Sequence, residues 1–188
     1  MTKKEIQQRH EFTLVLKNVD ESTSNLEDSL YEAGCDDALI NFRNGAVYLD
    51  FNREATTLEE AVLNAIKDVE SSSIGAIVAT VAPEDLVTES EVAKRLHVKR
   101  QAVSLWMKGE RRKTHSFPKP IMKLGDRSPL WKWCEIVEWL YQNRLIEEKK
   151  LLENATFLEN INSILADRNA IDRKSRQSLL KKFKNSSH

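Results

Sequence analysis

From residue 11 to residue 81 the apolar positions follow two spacings in turn: a period of two, which marks half-buried strands, and a period near 3.6, which marks amphipathic helices. Glu11–Asn18 (EFTLVLKN) alternates and predicts a strand. Asn25–Ala33 predicts a helix, opened by the capping box Ser24-x-x-Glu27 and stopped by Gly34. Asp37–Arg43 and Ala46–Asn52 predict two strands around Asn44-Gly45, a dipeptide that tolerates the positive φ angles of a two-residue hairpin turn. A second helix starts at the capping box Thr57-x-x-Glu60. Its Leu58, Ala61, Val62, Ala65, Ile66 and Val69 share one stripe until the serine run Ser71–Ser73 ends it. Ile74–Val81 predicts a final strand.

Six elements in the order β-α-β-β-α-β imply the ferredoxin-like split βαβ arrangement for residues 1–82. Pro83-Glu84-Asp85 is a polar, proline-led link and marks a boundary to a second domain over residues 83–146. Residues 147–188 predict a C-terminal helical extension, in which Leu151, Leu158 and Leu165 recur at heptad spacing and Leu152, Phe157, Ile161 and Ile164 widen the stripe. Asn154 and Arg168 at companion positions favour an amphipathic helix seeking a partner surface over a long coiled coil. Asp167–Lys174 predicts an interruption, and Lys184–His188 a disordered end. The fold class is α+β.

Within the second domain, Thr88-Glu89-Ser90-Glu91 is a third capping box, so a helix is expected from about Glu89 with Val92, Ala93 and Leu96 facing inward. A tight turn at Leu96-His97-Val98 leads to a second helix over about Lys99–Lys108, with Val103 and Trp106 inward. The small Ala93 lets two short helices cross closely. The outward face of the second helix then carries Lys99, Arg100, Gln101, Ser104 and Lys108. Arg and Lys suit guanine edges or phosphate, Gln suits adenine, and Ser donates to either.

Composition sharpens this picture. The chain of 188 residues has a formal net charge of zero. That balance conceals residues 1–82 with 7 basic against 15 acidic side chains, residues 83–146 with 13 against 8, and residues 147–188 with 9 against 6. Basic residues concentrate over 94–113, where Lys94, Arg95, Lys99, Arg100, Lys108, Arg111, Arg112 and Lys113 face only Glu110, a density that attracts polyanions. No apolar run approaches a membrane span, and the start MTKKEIQQRH lacks the apolar core of a secretory signal, so a soluble cytoplasmic chain with no membrane association is expected. Cys35 and Cys134 form neither a metal-ligand spacing nor a disulfide framework.

The spacing over Glu89–Lys108 resembles the helix-turn-helix family, although His97 stands where that family usually carries glycine. Downstream, Phe117-Pro118-Lys119-Pro120 through Arg127 leads to Leu130-Trp131-Lys132-Trp133 and Glu135–Leu140. This is similar to the ending of AlpA-like phage regulators and of excisionase- or MerR-type winged helix-turn-helix domains. The resemblance covers Thr88–Leu140 and implies a bacterial or phage transcriptional regulator, a repressor among the possibilities, that binds double-stranded DNA. It implies wing strands at Ile121–Leu124 and Pro129–Lys132, a turn at Gly125-Asp126 and a closing helix at Glu135–Leu140. By this resemblance Arg100 and Gln101 contact bases, Lys99, Ser104 and Lys108 lie near phosphate, and Lys123 and Arg127 are wing contacts. The insertion Gly109–Ser116 departs from the family; its Arg111, Arg112 and Lys113 either grip the backbone or merely line a solvated loop. Trp131, Trp133 and Trp139 read as core anchors rather than stacking platforms.

Other classes find less support. No glycine-rich phosphate loop, HExxH or nucleophile elbow occurs, so no enzyme and no cofactor or metal is expected. Glu32, Asp36, Asp37, Asp50 and Glu54 read as a solvated acidic surface. RNA binding by the first domain is an alternative, since RNA recognition motifs share its element order, but of Val15, Ala46 and Tyr48 only Tyr48 offers a ring and the domain is acidic. An antitoxin that autoregulates its operon and neutralises a partner toxin is a second alternative. The acidic domain is expected to serve oligomerisation, a protein partner or a small ligand. The chain is expected to be a homodimer, through either that domain or the C-terminal helix.

Overall fold

The computed structural model describes residues 6–110, 115–125, 128–169 and 173–185. The chain divides into two compact units, Met1–Val81 with Asn160–His188, and Ala82–Glu159.

The first unit is built on β1 (Gln8–Lys17), α1 (Leu26–Glu32), β2 (Ala38–Arg43), β3 (Ala46–Ala55), α2 (Leu58–Ser71) and β4 (Ile77–Ala82). Its four strands lie in the order β2-β3-β1-β4, and β3 runs antiparallel to both β1 and β2. Strand alternation turns His10, Phe12, Leu14 and Leu16 of β1 and Val47, Leu49 and Phe51 of β3 to one buried face. The α2 stripe Leu58, Ala61, Val62, Ala65, Ile66 and Val69 is buried as its spacing predicts, and α1 adds Leu26 and Leu30. Asn44 (φ 53) and Gly45 (φ 78) make the positive-φ turn between β2 and β3.

Two caps differ from expectation. Ser24 and Glu27 do not form a box: Asn25 is the N-cap of α1 at φ 56, with no side-chain bond. The preceding loop folds instead around Asp20, whose carboxylate accepts the Ser22 N–H at 2.8 Å and whose own N–H donates to Thr23 Oγ1 at 2.9 Å. At α2, Thr57 Oγ1 accepts the Glu60 N–H, but the Glu60 carboxylate reaches Thr56 rather than Thr57. His10, which the sequence places in a terminal segment, is buried in β1 with its Nε2 3.3 Å from the Ala55 carbonyl oxygen.

Several acidic side chains of the first unit are engaged. Arg53, turned to the buried face, donates to Asp37 (2.8 Å), Asp68 (2.6 Å) and the Gly34 carbonyl (2.8 Å). Burial opposes its charge, yet the bonds to Asp37 and Asp68 outweigh it and raise its pKa. Asp50 accepts from Thr13 and Asn41, and Glu54 pairs with Arg9. Among the described residues no group of three or more His, Cys, Asp or Glu could hold a metal ion.

The second unit holds β5 (Leu86–Val87), α3 (Glu89–Arg95), α4 (Arg100–Met107), β6 (Trp131–Lys132) and α5 (Trp133–Gln142). Its core joins Val87, Val92, Ala93, Val103, Trp106, Trp131, Trp133, Ile136, Val137, Trp139, Leu140 and Ala155. All four tryptophans are buried there, as apolar anchors.

The C-terminal segment forms α6 (Lys149–Arg168) and α7 (Arg173–Asn185). The first part of α6, with Leu151, Leu152 and Ala155, packs on the core of the second unit. Its later part belongs to the first unit, where Asn162 bonds to Thr80 and Val81 of β4. Leu158, Ile161 and Leu165 are buried, whereas Ile164, counted in the stripe from sequence, is 60% exposed. No helix among the described residues is long and apolar enough to cross a membrane.

Candidate nucleic-acid interface

The two-helix unit α3–α4 begins with a complete capping box, in which Thr88 Oγ1 accepts the Glu91 N–H and the Glu91 carboxylate accepts the Thr88 N–H at 2.6 Å. The Thr88 bonds hold the Glu91 carboxyl below its ordinary pKa. At the far end of α3 the His97 N–H donates to the Lys94 carbonyl and the Val98 N–H to the Ala93 carbonyl, the paired bonds of a Schellman ending. The residue at its hinge must be left-handed, and His97 stands there at φ 53. Thus the position where glycine is usual keeps glycine's conformation with a histidine in it.

The ending orients α4. Val103 and Trp106 are sealed in the core opposite Ala93, and Lys99 becomes the α4 N-cap. Gln101, Ser104 and Lys108, at i, i+3 and i+7, fall on the other side; Gln101 and Lys108 are exposed and Ser104 half-buried. Lys99 and Arg100 are exposed beside them, with Arg100 Nη2 3.2 Å from Glu89 Oε2. Gly109 at φ 67 closes α4 by the same bond pair, Gly109 N–H to Trp106 O and Glu110 N–H to Leu105 O. The structure therefore brings Lys99, Arg100, Gln101, Ser104 and Lys108 onto one helix and its caps.

One member of the basic cluster is turned inward. Arg95 lies 5.1 Å above the Trp133 ring and donates to the Glu84 carbonyl at 2.8 Å, and burial pushes its pKa down. Its role is to fasten α3 to α5, which leaves Lys94 as the outward cation of α3.

Beyond α4, Arg111, Arg112, Lys113 and Arg127 lie outside the described residues. The chain re-enters at His115, whose carbonyl accepts the Trp139 indole N–H at 2.8 Å, and the Pro118 carbonyl accepts that of Trp131 at 3.1 Å. Phe117 meets Trp139 edge-on at 5.0 Å between centroids. Residues 115–118 are thus held by Trp131 and Trp139, a positioning role that the sequence reading of these tryptophans as core anchors did not include.

The expected wing is shorter than the sequence suggests. Met122 pairs antiparallel with Leu130, and the Ile121 N–H donates to Leu130 O at 2.8 Å. Trp131–Lys132, assigned from sequence to the second wing strand, instead pairs with Leu86–Val87 of β5. A two-residue strand has too little alternation to be seen in sequence, and its partner lies some forty residues away. Lys123 is exposed, at φ 53. The closing helix begins at Trp133, two residues before Glu135.

Lys132 and Cys134 both bond to Glu159. Burial, followed by that carboxylate, pushes the Cys134 thiol up to about 12. This group is a structural tie between β6, α5 and α6 rather than a reactive centre.

No curated protein and no solved structure matches the chain. Residues 85–145 do match the family model of the prophage CP4-57 regulatory protein (AlpA), so the segment from β5 through the end of α5 is AlpA-like.

Proposed function

We propose that the chain is a sequence-specific double-stranded-DNA-binding transcriptional regulator of bacterial or phage type, with α3 and α4 as a helix-turn-helix and α4 as its reading helix. The observation that carries this is the stripe Gln101, Ser104, Lys108 with Arg100 beside it, on a helix whose opposite side is buried at Val103 and Trp106. The match of this segment to a prophage regulatory family supports it independently. Arg100 and Gln101 are the proposed readers of base edges; their position in the first turn of α4 supports this, since helix-turn-helix proteins insert that end into the major groove. Arg100, 64% exposed, exchanges its half-buried partner Glu89 for DNA. Arg111, Arg112, Lys113, Lys123 and Arg127 grip phosphates from the loop and the wing.

The order β2-β3-β1-β4, with β1 and β2 parallel to each other, supports a ferredoxin-like first domain, and a homodimer is the working assembly. Selection of bound sequences from a random duplex pool tests the proposal, with an enriched inverted repeat as the expected result. Arg100→Ala with Gln101→Ala should flatten sequence preference. Arg111→Ala with Arg112→Ala should weaken all sequences alike and reduce the slope of log affinity against log salt by about 1.8, or roughly 12-fold between 0.05 and 0.2 M salt. Undiminished sequence preference in the first double variant overturns the assignment of α4.

A further inference from the structure

The two edges of the four-stranded sheet are treated differently. Along β4, side chains satisfy the outward backbone. The Val78 N–H donates to Glu70 Oε1 (3.0 Å) and its carbonyl accepts from Asn169 (3.0 Å), while Asn162 takes both the N–H (2.8 Å) and the carbonyl (2.9 Å) of Val81. That is how a sheet edge is closed to further pairing. At β2 no such device occurs among the described residues: the strand ALINFR has no proline, lysine or bulge.

The open groups on β2 can be named. Antiparallel ladders bond alternate pairs, and the Asn52 N–H donates to the Asp37 carbonyl at 3.3 Å. Residues 37, 39, 41 and 43 therefore bond to β3, and Ile40 and Phe42 turn N–H and C=O to the free edge, as Ala38 does its C=O. The Ala38 N–H is already given to Cys35 O at 3.1 Å, so pairing stops there.

We infer that β2 is the dimer interface: it pairs antiparallel with β2 of a second copy, Ile40 opposite Ile40, to give a continuous eight-stranded sheet. The inference rests on the dimeric reading above and adds where the copies meet. In this register Ile40 exchanges both bonds with its symmetry mate, and each Phe42 N–H donates to Ala38 O of the second copy. Four bonds form, leaving only the Phe42 carbonyl unused. Each Phe42, 41% exposed in the single chain, comes opposite the small Ala38 of the second copy. Beside Ala38 opens a groove of about 390 Å³, lined by Leu30, Tyr31 and Ile40 together with Glu27, Asp28 and Asp36, wide enough for that ring. Leu39 and Tyr31, 65% and 69% exposed, lie along the same edge.

Sedimentation of the full chain at roughly 1–100 µM tests the interface, since dimers held by a few hydrogen bonds and two buried rings dissociate in that window. Ile40→Pro deletes an outward N–H and no bond within the chain. It should raise the dimer dissociation constant on the order of 100-fold. Phe42→Glu should act alike by setting a carboxylate among Glu27, Asp28 and Asp36 of the second copy, and it decides the matter if circular dichroism shows the proline variant unfolded. Ile40→Cys should oxidise to a disulfide-linked dimer, because bonded antiparallel pairs hold their Cα atoms about 5.5 Å apart, whereas Lys67→Cys on α2 should not. A wild-type chain that stays monomeric at about 100 µM overturns both dimer and interface. A dimer that survives Ile40→Pro and Phe42→Glu, or fails to cross-link at position 40, overturns the interface alone. On either outcome, binding of a single half-site by the monomer reports separately on the DNA reading.

Discussion

Asn162 offers the sharpest test of how the first unit is held. It is buried on α6, its Oδ1 accepts the Val81 N–H and the Thr80 hydroxyl, and its Nδ2 donates to the Val81 carbonyl. Val81 is itself fully buried, so water has no ready access to the backbone groups Asn162 satisfies. Asn162→Leu keeps the volume and removes all three bonds. At about 1 kcal/mol net for each, with orphaned groups toward the upper end, the loss is about 3 kcal/mol. At 2–4 °C per kcal/mol for a chain of this size, that is roughly 6–12 °C in Tm. Asn162→Asp keeps the acceptor but loses the donor to Val81 O, and should fall about midway. Urea unfolding followed by far-ultraviolet circular dichroism reads the loss. Hydrogen exchange at the Val81 amide reads its location. A change under about 0.5 kcal/mol with Val81 still protected would refute the view that Asn162 closes this edge.

Arg53→Leu leaves Asp37 and Asp68 facing each other without their cation and should cost about 3 kcal/mol, measured by the same denaturation. His97→Gly should stabilise the chain by about 1 kcal/mol by relieving a left-handed histidine, and His97→Ile should cost at least that much, with DNA affinity unchanged in the first. Thr88→Ala should cost about 1 kcal/mol. The Thr88 N–H is the first cause of the lowered Glu91 pKa, and it contributes stability that is present above the ordinary glutamate range and lost as pH falls through the lowered value; the variant keeps that N–H and loses an Oγ1 cap bond that does not titrate, so most of its deficit should persist in acid. Burial holds the Cys35 thiol up at about 11 and the Cys134 thiol at about 12, so both should resist a thiol reagent at pH 8. Glu159→Gln, which removes the carboxylate beside Cys134, should speed the reaction there alone.

What the sequence disclosed and what it hid follow from how far apart the cooperating residues are. The α2 stripe, the Asn44-Gly45 turn and the Thr88 capping box are local, and each stands where its spacing puts it. Gly34 ends α1 and Gly109 ends α4, both through Schellman bonds. Arg144, at φ 54, ends α5 by the same pair of bonds, yet nothing in Asn143-Arg144 announces a stop. The outward face of α4 could be read because Val103 and Trp106 mark the inward one. The β5–β6 pairing, the indole bonds to His115 and Pro118 and the inward turn of Arg95 could not, since each joins residues that no periodicity links. The C-terminal stripe was visible but its partner was not: Leu151 and Leu152 pack on the second unit's core, while Ile161 and Leu165 are buried past the boundary between the units.

That burial bears on how the proposed DNA reader would achieve specificity. A bidentate base contact discriminates by about 1–3 kcal/mol, so on the reading proposed for α4 Arg100 and Gln101 together would supply about 2–6 kcal/mol, between roughly 30-fold and 10⁴-fold. A bacterial genome presents on the order of 10⁶ competing sites, which exceeds what one reading helix can reject. Two copies double the discrimination to about 4–12 kcal/mol and bring it into the required range. On the reading proposed for α4, a second copy is therefore a requirement of function. The heptad stripe of α6 is already spent inside the chain, so the requirement falls on a surface still open, and β2, with its unbonded Ile40 and Phe42 groups, has the self-complementary register to meet it. Selection of an inverted repeat by the wild type, and of isolated half-sites by Ile40→Pro, would join the two proposals; a full inverted repeat selected by both proteins would separate them.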